Sequence, residues 1–321
     1  MAGLTNILNV PEKRILVSNT QEVDQYGHKM LFKEFATDKP DFLVTKIDTE
    51  NQAKRIENLQ SNDGDGAVTV RFKYETEAKI SKTIAVRTFF SRKDSINTIE
   101  PVLSQDEYAR TILMLEMLYQ VKEKDAETLA TTSGNYGGNT ASVTGTDQWS
   151  DYANSTPFID LADWAKEARS TSLKRTNFTF IPDDVFNILA NHPDTLDRLS
   201  TIKEKVLTPD NLATLLGNGV SFMKGCKIYI PNSFYNTSNT ATPTMVAFWG
   251  KNVIVGYENP TPKDMIMKQS FGHDFQATKM KGLIVSKYAA EDKKGYYVDV
   301  EMSYSLSLDK NCGFLATTVT A

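Results

Sequence analysis

From residue 68 to residue 80, apolar and charged positions alternate without a break. Val68, Val70, Phe72, Tyr74, Thr76, Ala78 and Ile80 share one parity; Thr69, Arg71, Lys73, Glu75, Glu77 and Lys79 share the other. A period of two predicts a β-strand with one largely apolar and one largely charged face. The cluster Ser61-Asn62-Asp63-Gly64-Asp65-Gly66 before it is a turn, and Phe42 to Gln60 can supply the returning strand of a hairpin. Charges in that returning half (Lys46, Asp48, Glu50, Lys54, Arg55, Glu57) suit a helix as well. About eighteen residues at ~3.3 Å each reach ~60 Å. A compact domain of this length is only about 50 Å across. A fully formed hairpin therefore overhangs its own body, and its apolar face needs a neighbouring subunit. The alternative is an ordinary internal hairpin.

A different period follows. Tyr108, Ile112, Leu115, Tyr119, Lys122, Ala126 and Leu129 recur at helical spacing, with the Lys122 stem placed to snorkel. Ser104 and Glu107 have the spacing of a capping box, and Asp106 suits a positive first turn. A helix from Gln105 to about Thr131 spans ~40 Å, with Gly134 ending it. The polar run Thr131 to Thr146 reads as an exposed loop. Upstream, Met1 to Asp38 reads as an extended arm, with a turn at Tyr26-Gly27 and a small anchor of Met30, Leu31 and Phe32. An arm without a core of its own must rest on something else.

From Trp149 onward the pattern is mixed. Pro157 opens a helix running through Arg169. Phe178 to Ile181 reads as a strand, Pro182 starts a helix toward Ala190, and Pro209 starts another that closes at Gly217. Ile228 to Ile230 and Met245 to Trp249 read as short buried strands. Tyr296, Val298, Val300, Met302, Tyr304, Leu306 and Leu308 alternate with polar or smaller residues. With Gly282 to Ala290 they predict a long antiparallel hairpin, followed by a third strand, Phe314 to Thr320.

Composition narrows the class. The 321 residues are 40% hydrophobic and 24% charged, which is globular. A net charge of −4 lacks the cationic surplus that grips nucleic acid, though it suits a protein that faces DNA without holding it. No apolar run approaches the ~20 residues of a membrane helix. Met1 to Arg14 has no apolar core of a secretory signal. Cys226 and Cys312 form neither a disulfide framework nor a metal spacing, and read as reduced thiols of a protein made in a cytoplasm.

An enzyme is the rival class, and the near-motifs fall short of one. Ser61 to Gly66 has alternating oxygen ligands and a sixth-position Gly like a calcium loop, but Phe72 stands where a bidentate Glu is needed. Gly217-Asn218-Gly219 follows a helix where a phosphate loop precedes one, and Phe222 replaces the third Gly. Gly134, Gly137 and Gly138 lack the Gly-Lys-Ser/Thr ending of a P-loop. His28, His192 and His273 have no metal-ligand spacing; His192, before Pro193, reads as a helix-end histidine whose partial positive charge suits the dipole. A Ser-His-Asp triad needs no sequence adjacency, but no Gly-x-Ser-x-Gly elbow supports one. These residues point to no catalytic site, cofactor or metal.

Several stretches carry a family likeness. Phe89-Phe90-Ser91-Arg92-Lys93-Asp94-Ser95-Ile96-Asn97 is followed by a helix ending Leu115-Glu116-Met117-Leu118-Tyr119. Then come Trp149-Ser150-Asp151-Tyr152 with Ser155-Thr156-Pro157-Phe158-Ile159-Asp160, and Asn177 to Pro182 with Val185 and Leu189-Ala190-Asn191-His192-Pro193-Asp194. Leu212 to Gly217, Trp249-Gly250, Ser270-Phe271-Gly272 and Cys312-Gly313-Phe314-Leu315 continue the series. In this order, over roughly Ser91 to Ala321, they resemble the major capsid proteins of tailed bacteriophages.

The resemblance implies an α+β fold of the Hong Kong 97 type. Its parts would be an N-terminal arm (1–38), an extension-loop β-hairpin (39–90), a peripheral domain with a spine helix (91–176), an axial domain (177–276), and return strands of the peripheral domain (277–321). It implies a non-enzymatic shell subunit that self-assembles into hexamers and pentamers of an icosahedral virion around double-stranded DNA. Assembly would occur in the host cytoplasm, with scaffold and portal proteins as partners and no membrane. The extension loop would lie across a neighbour through Asp63, Asp65, Val70, Arg71, Phe72, Lys73, Tyr74, Glu75 and Glu77. An encapsulin-like compartment shell and a phage tail or adhesion protein are the alternatives.

Overall fold

A computed structural model describes residues 25–37, 41–47, 74–91, 100–200, 206–220, 223–238, 244–260, 269–277, 283–290 and 294–321. In chain order the elements begin with a short helix α1 (Gly27–Leu31) and strands β1 (Phe32–Thr37), β2 (Asp41–Ile47), β3 (Tyr74–Ile80) and β4 (Lys82–Ser91). The long helix α2 (Glu100–Thr131) follows, then β5 (Thr140–Ser142), α3 (Pro157–Ser172), β6 (Phe178–Phe180), α4 (Asp183–Ala190), α5 (Pro193–Ser200) and α6 (Pro209–Gly219). The chain closes with β7 (Lys227–Tyr229), β8 (Phe234–Asn236), β9 (Met245–Ala247), β10 (Val253–Gly256), β11 (Gly272–Ala277), β12 (Leu283–Ala290), β13 (Gly295–Leu308) and β14 (Gly313–Thr317).

Two sheets organise these elements. The first is built on β13, which pairs antiparallel with β12, β4 and β11, while β1 adds to β11 in parallel. The second runs β5-β14-β10-β6-β7. Helix α2 lies along the first sheet, with Met114, Leu115 and Leu118 packed on Phe90, Val298, Val300, Met302 and Tyr304. Helices α3, α4 and α6 surround the second sheet through Trp149, Leu161, Trp164, Val185, Leu189, Leu212 and Val255. A third cluster joins the two, from Leu31 and Phe32 through Ala126 and Ala130 to Phe178, Trp249 and Phe271. The anchor expected of Leu31 and Phe32 is thus part of the core.

Several expectations are corrected. Helix α2 begins at Glu100 with Pro101 in its first turn, where a missing N–H costs nothing. Ser104 therefore lies inside the helix and is no cap; Glu107 instead accepts both Lys287 Nζ (2.9 and 3.0 Å) and the Tyr296 hydroxyl (3.0 Å). Lys122 does not snorkel. It is buried and ion-paired with buried Asp274 at 2.5 Å. The run 131–146 is no simple exposed loop: Tyr136 is wholly buried with its hydroxyl on the Ala130 carbonyl, and β5 pairs in parallel with β14. Strand β9 is exposed at Met245 and Val246, and the buried strand of that region is β10. Strand β14 joins the second sheet and not the C-terminal hairpin.

Candidate inter-subunit surface

Strands β2 and β3 form the antiparallel ribbon expected from the alternation, in the register Asp41↔Ile80 to Ile47↔Tyr74. Phe42 holds its foot to the body: its ring centroid lies 4.7 Å from that of Phe275, which also meets Phe35 at 5.7 Å. Opposite residues share a face in an antiparallel pair. Phe42 and Lys79 thus mark the half-buried face, and Leu43, Ala78 and Ile80 the other. That other face belongs to the apolar parity of β3, and among the described residues nothing covers it. Leu43 is 69% exposed and Ile80 74%. Below Ile80, a cavity of about 430 Å³ opens between the ribbon and the C-terminal half of α2. It is lined by Leu129, Leu306 and Tyr304, and Lys82 and Asp125 pair at 2.6 Å within its wall.

Of the residues expected to meet a neighbour, Glu77 is exposed and pairs with Lys79 at 2.5 Å along its own strand. Tyr74 and Glu75 stand opposite Ile47 and Lys46. Asp63, Asp65, Val70, Arg71, Phe72 and Lys73 lie outside the described residues, as does the calcium-like turn 61–66.

The rest of this region is tied down by polar groups that the sequence did not flag. On the open face of the β4-β13-β12 sheet, Arg87 forks onto Asp299 (2.8 and 2.9 Å), which also accepts the Tyr288 hydroxyl (3.0 Å). The Arg87 hydrogen bond holds the Asp299 carboxyl below its ordinary range. Deeper, Glu123 of α2 is fully buried and gathers five donors. Its Oε1 accepts Gly27 N–H (2.7 Å), the Ser233 hydroxyl (2.8 Å) and Trp249 Nε1–H (2.6 Å). Its Oε2 accepts His28 N–H (2.9 Å) and His28 Nδ1–H (2.6 Å). Burial alone would raise the Glu123 carboxyl, but the hydrogen bonds from His28 and Trp249 outweigh it and hold it below its ordinary value. The partners lie 95 to 126 residues away in sequence, so no local pattern announces them.

One histidine stands close to a hydroxyl. His192 Nε2 is 3.0 Å from Ser155 Oγ, the spacing of a nucleophile and its base. The proton runs the wrong way. His192 Nδ1 accepts the Asp194 backbone N–H (3.1 Å), so Nε2 carries the hydrogen and donates it to Ser155, whose hydroxyl donates to the Asp151 carbonyl (2.7 Å). His192 is therefore a neutral cap at the start of α5, lowered by burial, and not the positively charged helix-end residue expected. Cys226 and Cys312 are buried and not joined in a disulfide, and burial pushes the Cys226 thiol up to about 11. Among the described residues, no group of three or more His, Cys, Asp or Glu could hold a metal ion, and no helix is long and apolar enough to cross a membrane.

No protein-family model matches the chain, and no curated protein matches it by sequence. Solved structures do. A phage-related protein from Bordetella bronchiseptica superposes with a TM-score of 0.69 at 17% identity, over 91% of each chain. The capsid of cyanophage P-SCSP1u gives 0.54 at 12% identity, over 89% of this chain and 85% of that one. An encapsulin complex from Synechococcus elongatus gives 0.51 at 9% identity, over 91% and 86%. The fold is α+β and is the Hong Kong 97-type fold of tailed-phage capsids.

Proposed function

We propose that this chain is the major capsid protein of a tailed bacteriophage, a non-catalytic subunit of an icosahedral shell enclosing double-stranded DNA. The observation that carries the reading is the apolar face of the β2–β3 ribbon, which no described residue covers: Leu43 and Ile80 are exposed at its foot. A neighbouring copy would cover it. Head-to-tail contacts of this kind close into rings of five or six when the rotation permits, and rings then close the shell. In this reading residues 39–90 are the extension loop, 91–176 with 277–321 the peripheral domain, and 177–276 the axial domain. The arm is 1–38, its end anchored in this chain's own core by Leu31 and Phe32. Val70, Phe72 and Tyr74 extend the apolar face toward the tip, and Asp63, Asp65, Arg71, Lys73, Glu75 and Glu77 set register. Burying the apolar side chains contributes ~25 cal/mol per Å². Exposed charge pairs add only ~0–1 kcal/mol each and act as selectivity. The virion is the site of action, reached from the host cytoplasm with scaffold and portal partners.

The test is electron microscopy of the full chain, expressed alone and with its genomic neighbours. Closed shells of uniform size are expected. Leu43→Asp or Phe72→Asp should leave a soluble chain that forms none; normal particles from either variant would overturn the ribbon's role. The likeness to an encapsulin complex favours a second reading, a cellular compartment shell. A specific enzyme inside the purified particles, in place of DNA, would select it.

A further inference from the structure

The first turn of the described chain is hydrogen-bonded to α2 through Glu123, and that holding has a chemical weakness. His28 is 2% exposed and packs against the rings of Tyr26 (centroids 5.6 Å apart) and Tyr119 (6.0 Å), which also meet each other at 6.1 Å. Its Nδ1–H is committed to Glu123, while its Nε2 is buried and has no hydrogen-bond partner. The imidazole fits this place best as the neutral tautomer, because a second N–H would be buried with no acceptor among the described residues. The charged groups that bear on the ring are Glu123 and Lys122 of α2 and Asp274 of β11. Lys122 is already matched to Asp274 at 2.5 Å. The two neighbouring segments, at Ser233 and Trp249, offer neutral donors that are spent on Glu123.

We propose that the Glu123–His28 contact is an acid-sensitive clasp for the N-terminal segment: protonation of His28 unfastens residues 25–29 from α2, while Leu31 and Phe32 stay in the core. The clasp is internal to one chain and does not depend on the shell reading. The direction follows from linkage. Burial, the largest influence, lowers the His28 pKa, although the Glu123 hydrogen bond and charge oppose it. The released imidazole then takes up its proton more readily than the clasped one. Holding is complete above the ordinary histidine value of ~6.5 and is lost as the pH falls below it. Glu123, also lowered, works in the same direction but only below the ordinary carboxylate range. The two groups therefore separate in pH.

Hydrogen exchange of the full-length chain, corrected for the intrinsic effect of pH, reads the clasp directly, because the Gly27 and His28 amides donate to Glu123. Between pH ~7.5 and ~5.5, protection of residues 25–29 should fall, by at most about tenfold at one unit below the free histidine value, and that of β13 should not change. His28→Asn keeps a donor near the position of Nδ1 and removes the titration, so its protection should be flat across the same range. Gly27→Ala should open the clasp at every pH, because a Cβ there would lie 2.4 Å from the Trp249 indole. Exchange of the His28 ring C2 hydrogen in the unaltered chain gives its pKa with no substitution. A midpoint at or above ~6.5 overturns the proposal, as does wild-type protection that ignores pH or His28→Asn protection that still follows it.

Discussion

Two ribbons in this chain have nearly the same sequence pattern and opposite fates. In the C-terminal hairpin, β13 alternates apolar and polar residues, and its apolar face is sealed by α2: Val298 is 2% exposed and Val300 not at all. In β2–β3 the same alternation leaves Leu43 and Ile80 among the most exposed apolar side chains of the molecule. The charged face differs as well. On the C-terminal sheet it is knitted by Arg87, Asp299 and Tyr288, whereas on the ribbon Glu77 finds Lys79 on its own strand. A period of two specifies that a strand has an apolar face; it says nothing about what covers that face. The cover of the first ribbon is helix α2 of the same chain. For the second, no described residue supplies one.

The largest break in this comparison comes from putting a charge on the covered ribbon. Val300→Asp buries an unpaired carboxylate under α2 and should cost about 4 kcal/mol or more, enough to threaten folding of a marginally stable chain. Loss of soluble protein, or a collapsed thermal transition, is the expected readout. A smaller effect is expected where the burial is already ionic. Lys122→Met strands Asp274 and should cost about 3–5 kcal/mol, whereas Lys122→Met with Asp274→Leu should recover most of that. A double-mutant cycle by denaturant melting checks both values. If the double variant is no better than the single one, the pair's hydrogen-bonded surroundings, including Gln276 on Asp274 at 3.0 Å, hold the stability instead.

How far the sequence foretold these features depended on locality. The C-terminal hairpin was legible almost to the residue, Gly282 to Ala290 and Tyr296 to Leu308 against β12 (Leu283–Ala290) and β13 (Gly295–Leu308), because its signal is local and periodic. Of the ribbon, the foot agrees with the alternation, in β2 (Asp41–Ile47) and β3 (Tyr74–Ile80), whereas residues 48–73 fall outside the described ones. Strand β10 was not legible: Val253 to Gly256 is too short to show a period, and all of it is buried. Nor was the parallel pairing of β1 with β11, which joins Phe32 to Gly272 across most of the chain. Helix α5 was hidden by Pro193, which reads as the end of one helix but serves as the first residue of the next. The Glu123 hub left only a weak trace, a carboxylate beside Lys122 at the margin of the helical stripe. Its meaning lies in partners that only the fold brings together.

The smallest expected effect on folding is the most discriminating. Leu43→Ser with Ile80→Ser removes two large apolar side chains from β2 and β3, a change that would cost several kcal/mol in a packed core. Here both side chains already face water, so the unassembled chain should melt within about 0.5 kcal/mol of the original. Its tendency to associate should fall, because the exposed apolar strip that invites pairing is gone. Thermal melting of the dissociated chain, set beside light scattering under assembly conditions, separates the two quantities. A large drop in single-chain stability would mean that the ribbon folds back onto its own body, and the contrast between the two hairpins would then vanish. A chain equally stable but unable to associate would place the missing cover on a second copy, since the substitutions change nothing that one molecule buries for itself.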